Sequence, residues 1–267
     1  MPVVDGINIR LQITDWKITD WGIYKIIDMK IYVFLLFLVA GQVLFGQVSA
    51  GKIVFERKTN LDKKFTDPRS RKMMGFTDEN KVKVELFDLY FNDTCSIFKP
   101  IISDEADPLS WATTKNTVYQ NFNTEQKLSV LNLMGQLVYV TDSITPKTWK
   151  VTESTRYIAG YNCYKAIWQK DDSTRIYAWF SVDLVPTVGP EGFSGLPGAI
   201  LGLATEDGGI IYFAKSVELI EPAKEVFTIE VKKKDQYTSH ELKTKIEKEM
   251  GDNPMGRRMV VDLFRWL

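Results

Sequence analysis

Apolar and polar residues alternate along most of the chain after residue 50, and a period of two is typical of β-strands. In residues 52–58, Ile53 and Phe55 fall on one face while Glu56 and Lys58 fall on the other. This alternation, repeated in short runs between turn-rich segments, predicts an antiparallel sheet.

The second run places its apolar residues on one side of the predicted strand and its charged residues on the other. Val82, Val84 and Leu86 face one way, and Lys83 and Glu85 face the other. Further strand-like runs are predicted at 94–99, 117–122, 128–134, 137–141, 149–151, 161–169, 175–180, 201–205, 210–217 and 226–232.

Two pairs of runs predict β-hairpins. The runs 161–169 and 175–180 are separated by a short polar turn, and the runs 201–205 and 210–217 by a turn that contains Asp207, Gly208 and Gly209. Asp-Gly and Gly-Gly pairs suit the positive φ angles of tight hairpin turns.

A helical period appears only near the C-terminus. Thr238 and Glu241 form the capping-box pattern that begins a helix, and Leu242, Ile246 and Met250 then recur every four residues. A second short helix is predicted from residue 254. The fold class is therefore mainly β, with a short C-terminal helical cap from about residue 238.

The N-terminal part has the pattern of a secretory signal. Ten apolar residues at 31–40 follow Lys30 and precede a small-residue segment, and ten are too few to span a bilayer. We predict a signal peptide over residues 29–50, preceded by a mis-called extension over residues 1–28. A cytoplasmic tail before an uncleaved anchor and a buried core helix are the alternatives. Residues 51–267 are predicted to form a single β-rich domain.

Charge and cysteine content narrow the function. The 267 residues have a formal net charge of zero, which argues against a general nucleic-acid binder. The two cysteines, Cys95 and Cys163, both follow the predicted signal. An exported chain permits a disulfide between them, and two buried thiols are the alternative.

The window 188–201 contains four glycines and two prolines between two strand-like runs. Glycine reaches positive φ angles and proline fixes φ, so together they specify one bent backbone path. We assign this segment a structural role as a signature turn formed by Gly189, Pro190, Gly195, Leu196, Pro197, Gly198, Ala199 and Ile200.

Residues 195–200, with the sequence GLPGAI, resemble the signature of the GLPGLI family of bacterial envelope proteins. Motifs at 149–151, 158–166, 177–179 and 189–190 come in the order that the family shows, and the resemblance covers roughly residues 52–250. Ala199 stands where the family has leucine.

The resemblance implies an exported, β-rich protein of the periplasm or outer membrane. Genes of this family tend to lie near genes for outer-membrane receptors of TonB-dependent transport. The resemblance supplies no catalytic residue. At the level of fold, a curved antiparallel sheet or half-barrel with a helix against it also looks like periplasmic lipoprotein carriers.

Catalytic, metal and cofactor sites are not predicted by any motif. The single histidine, His240, lies in the capping box, and Ser194 lacks the glycine spacing of a nucleophile elbow. Asp183 and Glu191 flank the start of the signature turn and are the candidate acids for a hydrolase site; two exposed loop acids are the alternative. The acidic segment 104–107 lacks the glycine of a calcium loop.

Two surface features point to binding. Aromatic residues crowd the central strands and form either sheet core or a ligand-binding face: Trp149, Tyr161, Trp168, Tyr177 and Trp179. Lysines at 232–234, 243, 245 and 248 form a basic patch, which is either a solvated charge run or a surface for anionic lipid headgroups.

These observations favour a non-enzymatic binding or accessory protein of the envelope. Its ligand would be an apolar molecule, a peptide or an outer-membrane receptor. A periplasmic peptidase or glycosidase that uses the candidate acids is one alternative. A structural module that pairs through an open sheet edge is the other.

Overall fold

The computed structural model describes residues 49–103, 107–133, 135–171, 174–232, 235–252 and 254–266. All of them belong to one compact unit, Gln47–Leu267. The predicted signal peptide, apart from residues 49 and 50, and the extension before it lie outside the described residues. Within the described part of the chain, no helix is long and apolar enough to cross a membrane.

The fold is mainly β, as predicted, and consists of one open, curved sheet of twelve strands. The order of the strands across the sheet is β12-β6-β5-β4-β3-β2-β1-β11-β10-β9-β8-β7. The strands are β1 (Gly51–Asn60), β2 (Val82–Phe91), β3 (Cys95–Pro100), β4 (Thr117–Asn121), β5 (Gln126–Leu133), β6 (Gln136–Ser143), β7 (Lys150–Ile158), β8 (Tyr161–Gln169), β9 (Arg175–Ser181), β10 (Ala199–Thr205), β11 (Ile210–Glu218) and β12 (Gln236–Tyr237).

Neighbouring strands are antiparallel except for β12, which pairs parallel to β6 over two residues. Within the described residues, four α-helices accompany the sheet: α1 (Leu61–Lys64), α2 (Pro68–Met73), α3 (Ser239–Met250) and α4 (Pro254–Phe264). The predicted capping box begins α3, since the Thr238 side chain accepts from Glu241 N–H and the Glu241 carboxylate accepts from Thr238 N–H.

The predicted strand at 226–232 is wrong. Lys224–Phe227 is a short 3-10 helix, and the described residues after it, up to 232, form no strand. Alternating apolar residues in so short a run do not distinguish a strand from a segment that crosses the surface of a sheet. The strand predicted at 149–151, in contrast, continues to Ile158.

One face of the sheet, called the inner face here, carries the main core. Phe87 and Phe98 stack with their ring centroids 4.9 Å apart, and Tyr212 meets both rings edge-on. Phe55 on β1 packs edge-on against Phe98. The strands β1, β2, β3 and β11 therefore share one aromatic layer, which holds the centre of the sheet together.

Strand β2 turns its charged residues inward. Lys83 and Glu85 are buried, whereas Val82, Val84 and Leu86 are exposed, with Val84 exposing 52% of its surface. The two sets do face opposite ways, as predicted. The apolar residues of β2, however, lie on the outer face, because the inner face holds ionic partners for its charged residues.

The helices α3 and α4 cover the sheet at the end formed by β5 and β6. Leu242 and Ile246 of α3 and Leu263 of α4 are buried in a small cluster with Leu131, Val138 and Val140. This cluster is separate from the main core. It is the C-terminal helical cap that the four-residue period predicted.

Candidate functional site

The loop between β9 and β10, residues 182–198, folds onto the inner face of the sheet. Its apolar residues Val188, Phe193 and Leu196 are buried in the main core. Residues 190–192 form a short 3-10 turn that packs against β3 and β4. The signature segment therefore fills the inner face with side chains of the chain itself.

Close backbone contacts explain two of the glycines in this loop. A Cβ atom on Gly198, where φ is +144°, would lie 1.9 Å from the carbonyl oxygen of Ser181. A Cβ on Gly192, where φ is +73°, would lie 2.8 Å from Val118 Cγ1. Only glycine allows the loop to approach the sheet this closely.

Glu191 anchors the loop to the sheet. The side chain exposes only 2% of its surface, and its backbone has the left-handed φ of 55°. Tyr212 donates its hydroxyl proton to Glu191 Oε1 at 2.6 Å, and Asn116 Nδ2 donates to Oε2 at 3.1 Å. A non-glycine residue with positive φ costs free energy, so these hydrogen bonds hold a strained conformation in place.

A buried ion pair lies next to this anchor. Arg57 Nη2 donates to Glu85 Oε2 at 2.5 Å, and Arg57 Nη1 donates to the Tyr212 hydroxyl at 3.3 Å. Thr113 donates to the other Glu85 oxygen at 2.8 Å. Arg57 thus connects β1 and β2 to Tyr212 on β11, and through Tyr212 to Glu191.

The pKa values in this network follow from burial and charge. Burial raises the pKa of the Glu191 carboxyl, against the attraction of Arg57. Burial also raises the pKa of Glu85, but Arg57, Thr113 and Lys83 together outweigh that effect, and the pKa of Glu85 is lowered. Burial raises the pKa of Tyr212 well above its usual range. Glu85 is therefore the ionised partner of Arg57.

Three further contacts secure the loop. Gln120 Nε2 donates to the Gly192 carbonyl oxygen at 3.0 Å, and Trp149 Nε1 donates to the Ser194 carbonyl oxygen at 3.0 Å. The Phe193 ring meets Trp266 edge-on with the centroids 5.8 Å apart. The loop is thus held by contacts with β4, with the segment before β7 and with the residues after α4.

The two candidate acids lie in different environments. Asp183 is exposed and its carboxylate accepts from the Ser181 hydroxyl at 3.4 Å, whereas Glu191 is buried under the loop. The structure therefore does not present them as a pair in one cleft. Among the residues described, no group of three or more His, Cys, Asp or Glu could hold a metal ion, and residues 104–106 of the acidic segment lie outside that set.

The candidate aromatic residues divide between the two faces of the sheet. Trp149 and Trp168 pack against Phe193 on the inner face, at 6.1 and 5.7 Å between ring centroids. Tyr177 and Trp179 lie on the outer face, where Lys165 stacks on Tyr177 at 4.1 Å. The fifth residue, Tyr161, is half-buried at the start of β8. The five therefore do not line one common surface.

The cysteines are not joined. Cys95 and Cys163 are both buried, free thiols, on β3 and β8. Five strands lie between β3 and β8 in the sheet, so the disulfide that the sequence permits is not formed. Burial raises the pKa of the Cys163 thiol to about 11, which keeps it protonated and unreactive at neutral pH.

Sequence reasoning missed most of the polar network under the loop. Arg57 could have been found, because it continues the inward series of Ile53 and Phe55 on β1. Tyr212 and Asn116 carry no such signal, since their role depends on where the loop folds. The hydrogen bonds of this network fasten the loop to the sheet.

The two edges of the sheet differ. The edge at β6 is covered by the two-residue strand β12 and then by α3. The other edge is β7, a strand of nine residues that is exposed at most of its positions. Among the residues that the structure describes, it pairs only with β8. A register shift between Val151 and Thr155 divides β7 into two regular parts.

The side chains along β7 form an amphipathic edge. Tyr157 exposes 70% of its surface and Val151 50%, and they share a face with Tyr164 of β8. The opposite face carries Arg156, which stacks over Trp179 at 5.0 Å, and Lys165. We call this surface, β7 with Tyr164 and Lys165, the β7 edge.

No protein-family model matches the chain, and no curated protein matches it. Among solved structures, two crystal forms of PNGF-II are similar at 16% and 18% identity, with TM-scores of 0.49 and 0.47. They cover 73% and 71% of this chain but only 32% and 31% of PNGF-II, so this chain spans about a third of that protein's length.

Two further structures are more distant. An uncharacterized conserved protein from Thermus thermophilus has a TM-score of 0.38 at 8% identity, over 72% of this chain and 91% of its own. The Pseudomonas aeruginosa MucA/MucB complex has a TM-score of 0.36 at 10% identity, and the match covers 69% of this chain and 56% of that one. Likenesses at these values support no inference about function.

Proposed function

We propose that this chain is a non-enzymatic binding protein of the cell envelope that takes an extended peptide segment of a partner protein along the β7 edge. The observation that carries the proposal is an uncovered edge strand of ordinary length in the described part of the chain. Such an edge offers unpaired backbone groups to a further strand. The envelope location depends on the predicted signal and on the resemblance to GLPGLI proteins.

The filled inner face favours a peptide over an apolar small molecule. A small-molecule site needs a concave pocket of several hundred Å³. Here the corresponding surface is occupied by Phe193, Leu196 and Glu191 of the signature loop. The β7 edge needs no such pocket, because hydrogen bonds between main chains supply the binding free energy.

The chemistry of the β7 edge defines the segment that would fit. One face presents Tyr157, Val151 and Tyr164, and the other presents Arg156 and Lys165. An added strand would therefore alternate apolar or aromatic residues with acidic residues. The register shift in β7 interrupts a uniform strand, which disfavours unspecific pairing between edges.

A photo-crosslinking experiment tests this proposal. We expect p-benzoylphenylalanine at position 157 to capture a partner in envelope fractions, and the cross-linked peptide to lie in an extended segment of alternating apolar and acidic residues. The same group at position 84, on the exposed side of β2, is the matched control. Equal capture at 84 and 157, or a cross-linked peptide without that pattern, would count against the β7 edge.

A proline variant tests whether the main chain takes part. Thr155→Pro removes one backbone N–H from the edge strand and should abolish capture at position 157. Arg156→Glu reverses the charge that acidic residues would meet and should weaken capture. Folding of both variants is checked by their thermal midpoints, and capture that survives Thr155→Pro in a folded protein contradicts the proposed pairing.

A further inference from the structure

Three lysine side chains converge beside the signature loop. Lys127 lies on β5, Lys147 in the segment between β6 and β7, and Lys170 just after β8. Burial lowers the pKa of Lys147 to about 8, with repulsion from Lys127 and Lys170 acting in the same direction. Lys127 is in turn repelled by Lys170. Lys127 Cδ comes close to Gly192, and the Lys147 ammonium lies over the Phe193 ring. Lys170 donates to the Phe264 carbonyl oxygen, two residues before Trp266, which packs on Phe193. The three side chains therefore lie around the same segment of the loop, although they are distant in sequence.

Lys127 is the most deeply buried of the three. It exposes 8% of its surface, and its Cδ lies 3.4 Å from the position of a Cβ built on Gly192. It forms no hydrogen bond or ion pair within the described residues. Asp142 and Glu191 attract its charge. Glu191, however, is held by Tyr212 and Asn116, and Asp142 accepts hydrogen bonds from Ser239.

Lys147 and Lys170 have no carboxylate within ion-pair distance in the part of the chain that the structure describes. The Lys147 ammonium lies over the rings of Trp168 and Phe193, at 5.3 and 4.8 Å. Lys170 donates to the Phe264 carbonyl oxygen at 2.6 Å. The charge of Lys170, which is exposed, is attracted by Asp171. Lys127 and Lys147 are more buried and have no ion-pair partner among the described residues, which is unfavourable for folding alone because a buried charge needs a partner.

We propose that Lys127, Lys147 and Lys170 form a binding site for a phosphate group, supplied by free phosphate or by an anionic lipid headgroup. A phosphate dianion would provide the missing counter-charge, with Trp168 and Phe193 as the apolar floor of the site. Lys147 is partly exposed and Lys170 is exposed, so the site is open to solvent. This inference is independent of the β7 edge and uses none of its residues.

Calorimetry with inorganic phosphate tests the site, with chloride adjusted to constant ionic strength. We expect the parent chain to bind phosphate and Lys147→Gln to weaken binding about ten-fold, because a charged hydrogen-bond donor is lost. Lys99→Gln is the matched control, since Lys99 also lies over an aromatic ring, that of Tyr90 at 5.2 Å, but is on the outer face of β3. Equal weakening in both variants, or none in Lys147→Gln, overturns the proposal.

A second arm distinguishes the two sources of phosphate. Vesicles of phosphatidylglycerol with phosphatidylcholine are compared with vesicles of phosphatidylcholine alone. If Lys147→Gln weakens binding to the anionic vesicles and Lys99→Gln does not, the site is assigned to a lipid headgroup. Binding of inorganic phosphate alone, with the same dependence on the variants, assigns it to free phosphate. Absence of binding in both arms overturns the site.

A stability measurement gives a second, independent test of the site. Lys127→Met removes the buried ammonium and keeps the apolar stem, so in phosphate-free buffer the variant should melt a few degrees above the parent. Added phosphate should raise the melting midpoint of the parent and leave that of the variant unchanged. A variant that melts below the parent and is still stabilised by phosphate contradicts the proposal.

Discussion

Gly198 illustrates how one residue determines the path of the signature loop. Its φ of +144° and the carbonyl oxygen of Ser181 exclude any side chain. We expect Gly198→Ala to lower the free energy of unfolding by about 3 kcal/mol or more, because strain and a steric overlap add together. Urea denaturation measures this loss.

Gly195 is the matched control for that substitution. Its φ of +90° is also unfavourable for alanine, but the nearest atom to an added Cβ is 3.5 Å away. Gly195→Ala should therefore cost only about 1–2 kcal/mol, the conformational part of the penalty. Equal losses at both positions would show that the contact with Ser181 is not what requires glycine.

Lys147 should make stability depend on pH in the alkaline range. Its pKa is about 8 in the folded chain and near the ordinary lysine value of 10.5 in the unfolded chain. Between these values the unfolded chain binds more protons, so the free energy of unfolding rises with pH. In phosphate-free buffer, we expect Lys147→Gln to show a smaller rise from about pH 8 to about pH 10 than the parent.

The control for this pH dependence is Lys165→Gln, which removes none of the three clustered amines. It should retain the rise that the parent shows. A parent whose stability is flat or falls across the same alkaline range, apart from general alkaline unfolding, would contradict the burial of the Lys147 ammonium.

Individual residues differ in how far the sequence could predict them. The glycines of the signature were recognisable because positive φ and close approach are local requirements. Glu191 was identified as a candidate acid from its position near the turn. Its burial could not be predicted, because that burial depends on contacts with Tyr212 and Asn116. Lys147 carries no local signal at all, since its environment is formed by Trp168 and Phe193.

Among the elements, β2 departs most clearly from the usual orientation of an amphipathic strand, in which the apolar face is buried. Glu85 faces inward and pairs with Arg57, and Val84 faces outward. We expect Glu85→Ala to cost about 3–5 kcal/mol, because it leaves Arg57 buried without its partner. Val84→Thr should change stability by less than about 0.5 kcal/mol.

The relative size of these two losses tests the orientation of β2. Chemical denaturation of both variants gives the comparison directly. If Val84→Thr is the more damaging substitution, the apolar face of β2 is the buried one and the inner face does not contain the ion pair.

Most of the elements themselves were predictable. Strand β8 has the predicted bounds of 161–169, and the helix after the capping box ends at the predicted Met250. The period of two indicates that a strand is present, but it does not tell which face is buried when the core contains charges. The prediction of a strand at 226–232 was wrong for a related reason, since short stretches of alternating apolar residues also occur in segments without regular structure.

For the whole molecule, the C-terminus and the signature loop should depend on each other. Trp266 packs against both Phe193 and Tyr212, with ring centroids 5.8 and 6.0 Å apart. A double-mutant cycle of Phe193→Ala and Trp266→Ala should give a coupling energy of about 0.5–1.5 kcal/mol. Phe76→Ala with Trp266→Ala is the control pair, because Phe76 belongs to a separate cluster, and the two losses should add.

The order of the strands and the filling of the inner face could not be predicted from local patterns. Both depend on contacts between residues far apart in the chain, such as Glu191 with Asn116 and Gln120 with Gly192. The sequence predicts a glycine-rich bend, but only the folded chain shows that the bend occupies the surface where an apolar ligand would bind.

Hydrogen–deuterium exchange of the full chain, with and without a saturating partner segment identified by cross-linking at position 157, tests the central claim most directly. The account predicts that protection increases in Lys150–Ile158 and stays unchanged in residues 188–198. Protection that changes in residues 188–198 while Lys150–Ile158 exchanges as before would contradict it.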